Sequence, residues 1–417
     1  MTVLVLSHMF PNEVDPGAGI FVLEQIRALR KAGVELLVVS PTPWAPYSLR
    51  LFGSVRKYLP IARRSVVDCF VVERPRVPTL PKKHGFALSG VAYYLSCRRL
   101  LHKLTRHTKL DLIHAHTLLP DGFAAVLLGR EFDLPVVCTA HGSDVNVYPF
   151  TNCLVRWATG WALRHTDNVI TVSDNLRRQA AELGAARSIT VVHNGADVTK
   201  FTPSDKAEAR RRLGLPITGP VVCFVGFLRA EKAPEYLLDA FAGLNNRDAR
   251  LCLVGNGQLQ ESLMNQAREL GIADRCTFAG NRPHSEIPLW LSAADCLVLC
   301  SLSEGLPTVL PEAMLSRVPI IATPVGGVPE ILRHGETGLL VPCKDAGAIA
   351  AALRMLFASP QLSSKLGRNA EAFAHTSLTW DVNAKRTLGV YEDALRTHAS
   401  QHRYTPALSS TSPRIPH

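Results

Sequence analysis

What most constrains this 417-residue chain is a rhythm of short, almost wholly apolar runs separated by helix-length stretches. In the first half the runs read TVLVLS, VELLVVS, DLIHAH, PVVCTAH, NVITVS and ITVVHNG. A strand with one wet face alternates apolar and polar residues. An unbroken Val/Ile/Leu run needs apolar cover on both faces, as in a parallel sheet between two helix layers. A helix is predicted between the first two runs, from about Phe21 to Ala32. After Pro203–Ser204 the rhythm restarts with a charged helix, DKAEARRRLG, and then PVVCFVG, ARLCLVG, RCTFAG, DCLVLC, PIIATP and GLLVPC. This gives two successive α/β units with a boundary near residue 200, not an array of short repeats. A chain of this length also exceeds what one ordinary hydrophobic core serves.

The expected division is therefore 1–200, 201–377, and an amphipathic helix over 378–397 that packs back on the first unit. The tail over 398–417 is Ser/Thr/Pro-rich, carries too little apolar surface to fold, and is expected to be disordered. With 47% hydrophobic residues the chain is globular. No apolar run reaches the roughly 18 residues of an ordinary spanning helix. The opening MTVLVLSHMF lacks a basic leader and reads as a first strand, not a signal peptide. The ten cysteines show no metal-ligand spacing and mostly fall inside apolar runs, so they are expected to be core thiols in a reducing cytosol.

The net charge of +11 is concentrated. Between Arg50 and Arg106 there are 13 Lys/Arg against only Asp68 and Glu73, which accounts for the whole excess. Within that stretch, FALSGVAYYLSCRRLLHKLTRH has apolar residues at helical spacing followed by a basic end. Such a segment suits an anionic membrane surface, which the stretch 50–107 would contact, and equally reads as an ordinary helix with a solvated end. No nucleic-acid-binding motif accompanies the charge, so nucleic acid is not an expected partner.

Open parallel sheets bind ligands beyond the carboxyl ends of their strands. The residues to examine are thus the Pro11–Gly19 loop, His114/His116, His141-Gly142-Ser143-Asp144, Ser173, Asn194-Gly195, Gly226 to Lys232, Gly255, and Glu304 to Glu312. The last group, SLSEGLPTVLPEAM, places two carboxylates eight positions apart, about 80° around a continuous helix. Gly305 and Pro307 argue against continuity. Glu304 is expected on a loop and Glu312 on the first turns of a helix, with the amides of Leu306 to Val309 between them. Free amides at a helix start favour an anion. A ligand with a central diphosphate and hydroxyl-bearing sugars on both sides would reconcile amides and carboxylates. An HxH pair such as His114/His116 suggests zinc, but no third ligand is evident. Gly255-Asn256-Gly257 lacks the third glycine of a dinucleotide fingerprint, so NAD is not expected.

As a set these residues resemble the family 4 glycosyltransferases. The resemblance covers about residues 1–397. It is strongest in SEGLPTVLPEAMLSRVPIIATPVGGVPEILRHGETGLLVP, and clear in FPNEVDPGAGIFVLEQIRAL, DLIHAH, TAHGSD, TVSDNL, HNGADVTKF and GFLRAEKAPEYLLDAF. It implies the GT-B arrangement: α/β, with two facing Rossmann-like, doubly wound parallel-sheet domains, the acceptor bound by the first and the nucleotide-sugar by the second, in an interdomain cleft. It implies transfer of a sugar from a nucleotide-diphosphate sugar to an acceptor hydroxyl, with retention at the anomeric carbon, no cofactor and usually no metal. Leaving-group charge then falls to protein cations and amides. By resemblance, Lys232 binds the diphosphate; Arg229 is a second cation, because Phe227 stands where the family often has Arg. Gly305, Leu306, Pro307 and Thr308 meet sugar or diphosphate, Glu304 holds donor-sugar hydroxyls, and Glu312 binds the ribose. Asn281 and Arg282 lie where the family's backbone meets the base. His141 contacts the donor sugar near the transferred carbon. The Gly17/Gly19 loop approaches the diphosphate or acceptor, or is simply a tight turn. Arg317 replaces a glycine usual after the helix, which costs about 1 kcal/mol if the backbone there is left-handed. The expected setting is envelope or surface polysaccharide, or lipid-linked glycan synthesis, in the cytoplasm or at the inner membrane face. The alternatives are a nucleotide-sugar 2-epimerase of similar fold, or a non-catalytic sugar-nucleotide-binding protein.

Overall fold

The computed structural model describes residues 1–44, 56–79, 83–184 and 188–403. Its strands are β1 (Thr2–Leu6), β2 (Glu35–Val39), β3 (Thr42–Trp44), β4 (Arg64–Val67), β5 (Phe70–Glu73), β6 (Arg76–Pro78), β7 (Leu112–His116), β8 (Val136–Ala140), β9 (Asn168–Thr171), β10 (Ile189–Val191), β11 (Val221–Val225), β12 (Arg250–Val254), β13 (Cys276–Gly280), β14 (Cys296–Leu299), β15 (Ile320–Ala322) and β16 (Leu339–Leu340). Eight form a sheet in the order β10-β9-β8-β7-β1-β2-β5-β4, six form a second in the order β13-β12-β11-β14-β15-β16, and β3 pairs with β6. All pairings are parallel except the β4–β5 hairpin. The apolar runs are buried throughout in β7 and β8, as strands covered on both faces must be.

Chain order reverses between β1 and β7 in the first sheet and between β11 and β14 in the second. Those two switch points are where an open α/β sheet leaves a crevice at its carboxyl edge. One hydrophobic core runs through both units, from Leu4 and Ile113 to Leu306 and Leu310. A polar tie adds to it. The Glu330 carboxylate accepts from the amides of Asp174 (2.8 Å) and Asn175 (3.1 Å), at the start of the helix Asp174–Glu182, and meets His193 Nε2 at 3.0 Å. The glutamate of the GGVPE turn therefore caps a helix of the other unit.

The last helix, Trp380–Arg403, lies against the helix Ile20–Lys31, with Trp380, Val390 and Tyr391 buried among Val3, Leu29 and Leu112. It runs past the expected end at 397, so residues 398–403 are helical and not tail; 404–417 lie outside the described residues.

The basic stretch is more structured than its charge suggests. It contains β4, β5 and the helix Ser89–Leu104. Arg74 is buried, donating to Ser40 Oγ (3.1 Å), Pro11 O (2.6 Å) and Ser65 Oγ (3.2 Å). Arg76 donates to Tyr58 O and Ile61 O. Neither belongs to a free cationic surface; Arg50 and Lys82 lie outside the described residues. Among the described residues no helix is long and apolar enough to cross a membrane. All ten cysteines are free; seven sit wholly or partly inside, and Cys69, Cys153 and Cys343 are exposed.

Candidate active site

The second switch point carries the centre of the site. After β11 the chain turns at Gly226 and forms a short 3-10 turn, Ala230–Lys232; after β14 it runs through Ser301 to Glu304. Lys232 Nζ meets Glu304 Oε1 at 2.5 Å, and Ser301 Oγ donates to the same oxygen at 2.6 Å. The carboxylate is 7% exposed and the lysine 20%. A carboxylate so far from water needs both partners.

Glu304 is on a loop, and Glu312 lies within the helix Val309–Leu315, whose seven residues are all buried. Glu312 Oε1 is 2.7 Å from His284 Nε2. His284 in turn packs on Phe201 and faces Glu24 of the first unit at 3.9 Å. Burial would lower the His284 pKa, but Glu312, then Glu24, raise it above the ordinary histidine value. Between the two carboxylates the amides of Gly305, Leu306, Thr308 and Val309 make no hydrogen bond among the described residues. Pro307 has no amide to offer; its carbonyl accepts from Leu310 N.

Across the cleft, β8 ends at Ala140 and its HGSD turn holds His141. Asp144 pins that turn by accepting from the amides of His141 (3.1 Å), Gly142 (2.9 Å) and Leu118 (3.1 Å). The turn abuts the SEGLP loop closely. A Cβ on Gly305 would stand 2.2 Å from His141 O, so only glycine lets the two backbones meet. His141 Nε2 pairs with His116 Nδ1 at 3.1 Å, its ring packs on Phe21, and Nδ1 has no partner among the described residues. Burial, with His114 and His8 nearby, pushes the His141 pKa down to about 3, so the ring is neutral at ordinary pH. His114 is bound on both sides, to Tyr391 Oη and Thr139 Oγ1, each at 2.7 Å. It is a structural residue, and among the described residues no group of three His, Cys, Asp or Glu could hold a metal.

The remaining candidates lie at the edges. Arg229 is half exposed, its guanidinium 4.5 Å over the Phe227 ring and 3.9 Å from Glu231, outside the Lys232–Glu304 contact. Asn281 and Arg282 are exposed on the turn after β13, two residues before His284; Arg282 Nε donates to Ala279 O. Gly19 has φ 60°, and a Cβ there would stand 2.1 Å from Met9 O, so the fold itself requires this glycine; Gly17 has no such contact. Arg317 has φ 56°, the left-handed backbone foreseen for it.

Sequence reasoning missed four groups: Glu330, His284, His8 and Asp121. Each acts through a partner far along the chain. Only their positions, after a strand or at a helix start, could have drawn attention to them.

Two family models match the chain: Glycosyltransferase Family 4 over residues 17–200 and Glycosyl transferases group 1 over 205–373. The putative teichuronic acid biosynthesis glycosyltransferase TuaC of Bacillus subtilis is 30% identical, covering 90% of this chain and 97% of its own length. Among solved structures, sucrose-phosphate synthase from Thermosynechococcus elongatus superposes with TM-score 0.79 at 22% identity, over 95% of this chain and 100% of the other. The Anabaena protein HepE, solved with UDP and glucose, gives 0.74 at 22% identity, over 94% and 99%. With the two facing parallel-sheet units and the matched glutamate motif already in place, the chain belongs to glycosyltransferase family 4, with the GT-B fold, and is an enzyme of the transferase class.

Proposed function

We propose that this enzyme moves a sugar, with retention of anomeric configuration, from a nucleotide-diphosphate sugar to a hydroxyl of a surface polysaccharide or lipid-linked glycan. The observation that carries the reading is the Lys232–Glu304 pair, set at a sheet switch point beside unpaired amides and against the His141 turn. Lys232 exchanges its carboxylate for the donor diphosphate, with Arg229 at the rim, and no metal is required for that charge. Glu304 then accepts from hydroxyls of the transferred sugar, since an ionised carboxylate only accepts. Glu312, oriented by His284, accepts from the ribose; the Asn281–Arg282 backbone meets the base. HepE, with UDP and glucose in its structure, is in keeping with such a donor, and TuaC, named for teichuronic acid biosynthesis, with a surface-polysaccharide setting.

The reaction is a front-face displacement in which the leaving phosphate assists. No side chain is placed as a covalent nucleophile. The helix Ser89–Leu104 lies on an anionic membrane surface at the cytoplasmic side, with Leu88, Val91 and Leu95 exposed along one stripe and Arg99, Lys103 and Arg106 exposed beyond them.

A panel of nucleotide-sugars in thermal shift identifies the donor, because a bound ligand raises apparent stability by mass action. Transfer to glycosides with that donor follows, with the anomeric configuration of the product read by NMR. No shift with any nucleotide-sugar overturns the reading. Nucleotide-sugar turnover that needs no acceptor would instead indicate an epimerase, and binding without any turnover a silent binding protein.

A further inference from the structure

His8 lies two residues beyond β1, at the switch point of the first sheet. Its Nδ1 is 2.6 Å from Asp121 Oδ2, and its own amide donates to Asp121 Oδ1 at 3.1 Å. Asp121 is wholly buried and also accepts from Thr117 Oγ1 at 3.0 Å, so both carboxylate oxygens are engaged. Backbone and side chain of His8 are thus clamped to one fixed acid. With Nδ1–H donated to the carboxylate, the neutral ring presents the lone pair of Nε2. Nε2 makes no hydrogen bond among the described residues, and the His8 side chain is 31% exposed. The ring stands edge-on to Tyr93 of the helix Ser89–Leu104, with centroids 6.4 Å apart, and close enough to His141 to influence its titration. A tightly oriented imidazole with one open nitrogen therefore sits at the carboxyl edge of the first sheet, the edge that also carries the His141 turn abutting the SEGLP loop.

We propose that His8 and Asp121 form the acceptor subsite: Nε2 of His8 accepts a hydrogen bond from the sugar hydroxyl that receives the transferred group, and so aims that oxygen's lone pair at the donor. This rests on the glycosyl-transfer reading above. Asp121 is a positioning residue, holding the tautomer that leaves Nε2 free. The charged and titratable groups facing His8 are Asp121, Asp144, His141 and Tyr93. Burial lowers the His8 pKa, but the Asp121 carboxylate, with Asp144 farther off, more than offsets this, so His8 takes up a proton above the ordinary histidine value. Protonation removes the accepting lone pair. An acid limb in acceptor turnover follows, above pH 6.5.

The test uses His8→Asn, whose side-chain amide can still donate to Asp121 but whose shorter carbonyl does not reach the Nε2 position. The wild-type enzyme and the variant are compared for donor dissociation constant, kcat/KM toward octyl hexosides, and slow donor hydrolysis, in which water takes the acceptor's place. The expected result is unchanged donor affinity, a loss of about 10- to 100-fold in transfer and hydrolysis, and disappearance of the acid limb. If His8 only satisfies the buried Asp121, His8→Asn keeps wild-type kcat/KM and the same limb, and the inference is wrong. Failure of the wild-type enzyme to bind any nucleotide-sugar would instead overturn the underlying functional reading.

Discussion

Lys232 is neutralised in the free protein by Glu304, a residue 72 positions away that leaves the neighbouring strand of the same sheet. Removing only one partner leaves the other charge buried and alone, which costs about 3–5 kcal/mol, whereas removing both charges is far milder. Lys232→Met should therefore lower the urea-unfolding free energy by about 3 kcal/mol, somewhat less if Ser301 holds the carboxylate. Lys232→Met/Glu304→Gln should regain most of that loss while remaining unable to bind donor. Equal stability of the single and double variants would show that the two side chains are not coupled.

Glu330 joins the units through charge as well as geometry. Burial works against ionisation, but His193 and the Asp174 and Asn175 amides prevail and hold its pKa below the usual carboxylate value. A depressed carboxylate pKa contributes stability above the unfolded pKa and loses it as pH falls through the folded one. Glu330→Gln should cost about 1–2 kcal/mol at pH 7, and the gap to the wild-type enzyme should close as pH falls through the lowered folded pKa. A gap independent of pH would mean that Glu330 acts by shape alone.

The parallel strands of both sheets, β5 excepted, were legible because unbroken Val/Ile/Leu runs have no stable place except a doubly covered sheet. Glu304, Glu312 and Lys232 were legible because each follows such a strand within a dense local motif. Arg317 could be read as strained because the resemblance puts a glycine there after the helix, and its φ of 56° agrees. The β4–β5 hairpin was not legible, since its strands have only four residues each and hide in a cationic segment. Nor could composition show that Arg74 is buried, because carbonyl and hydroxyl partners distant in sequence decide it. The His8–Asp121 contact spans 113 positions and the His284–Glu312 contact 28. Spacing rules work within one element and say nothing about such pairs.

The two carboxylates are assigned to different rings of the donor, and this can be separated experimentally. Binding of the nucleoside diphosphate alone should weaken about 10- to 100-fold in Glu312→Gln, the loss of hydrogen bonds to a charged acceptor. It should not weaken in Glu304→Gln, and should tighten if anything, because Lys232 loses the carboxylate that competes with the diphosphate. The intact nucleotide-sugar should respond to both substitutions. Titration calorimetry with the two ligands distinguishes this from a Glu312 that merely decorates its helix, for which neither ligand would notice the change.

The proposed membrane attachment would use the exposed stripe Leu88, Val91 and Leu95. Near it, Phe150, Leu154 and Trp157 are also exposed, and the Phe86 and Tyr148 rings meet at 5.1 Å between the two segments. The wild-type protein should co-sediment with vesicles containing anionic lipid at low salt and release as salt screens the cations. Leu88→Glu/Leu95→Glu should abolish sedimentation without altering donor affinity. No wild-type binding even at low salt would remove the membrane from the functional reading.

Acid stability should be governed by three buried histidines. Burial pushes His114 and His141 down to about 3 and His116 well below its ordinary value. In the unfolded chain each titrates near 6.5. Between those limits the unfolded state binds more protons than the folded one, so stability is full above about pH 6.5 and declines as pH falls. His8 and His284, both raised, are charged in both states below that pH and leave this slope unaltered. Each of the three histidines contributes a slope approaching about 1.4 kcal/mol per pH unit once it is protonated in the unfolded chain. Asp144, whose pKa burial raises, acts in the opposite sense, so the histidine share is read from the difference between wild type and variant in urea unfolding between pH 6.5 and 5. His114→Gln, which keeps a polar group between Tyr391 and Thr139, should reduce the slope by one proton's share. An unchanged slope in that variant would show that His114 is not neutral in the folded protein.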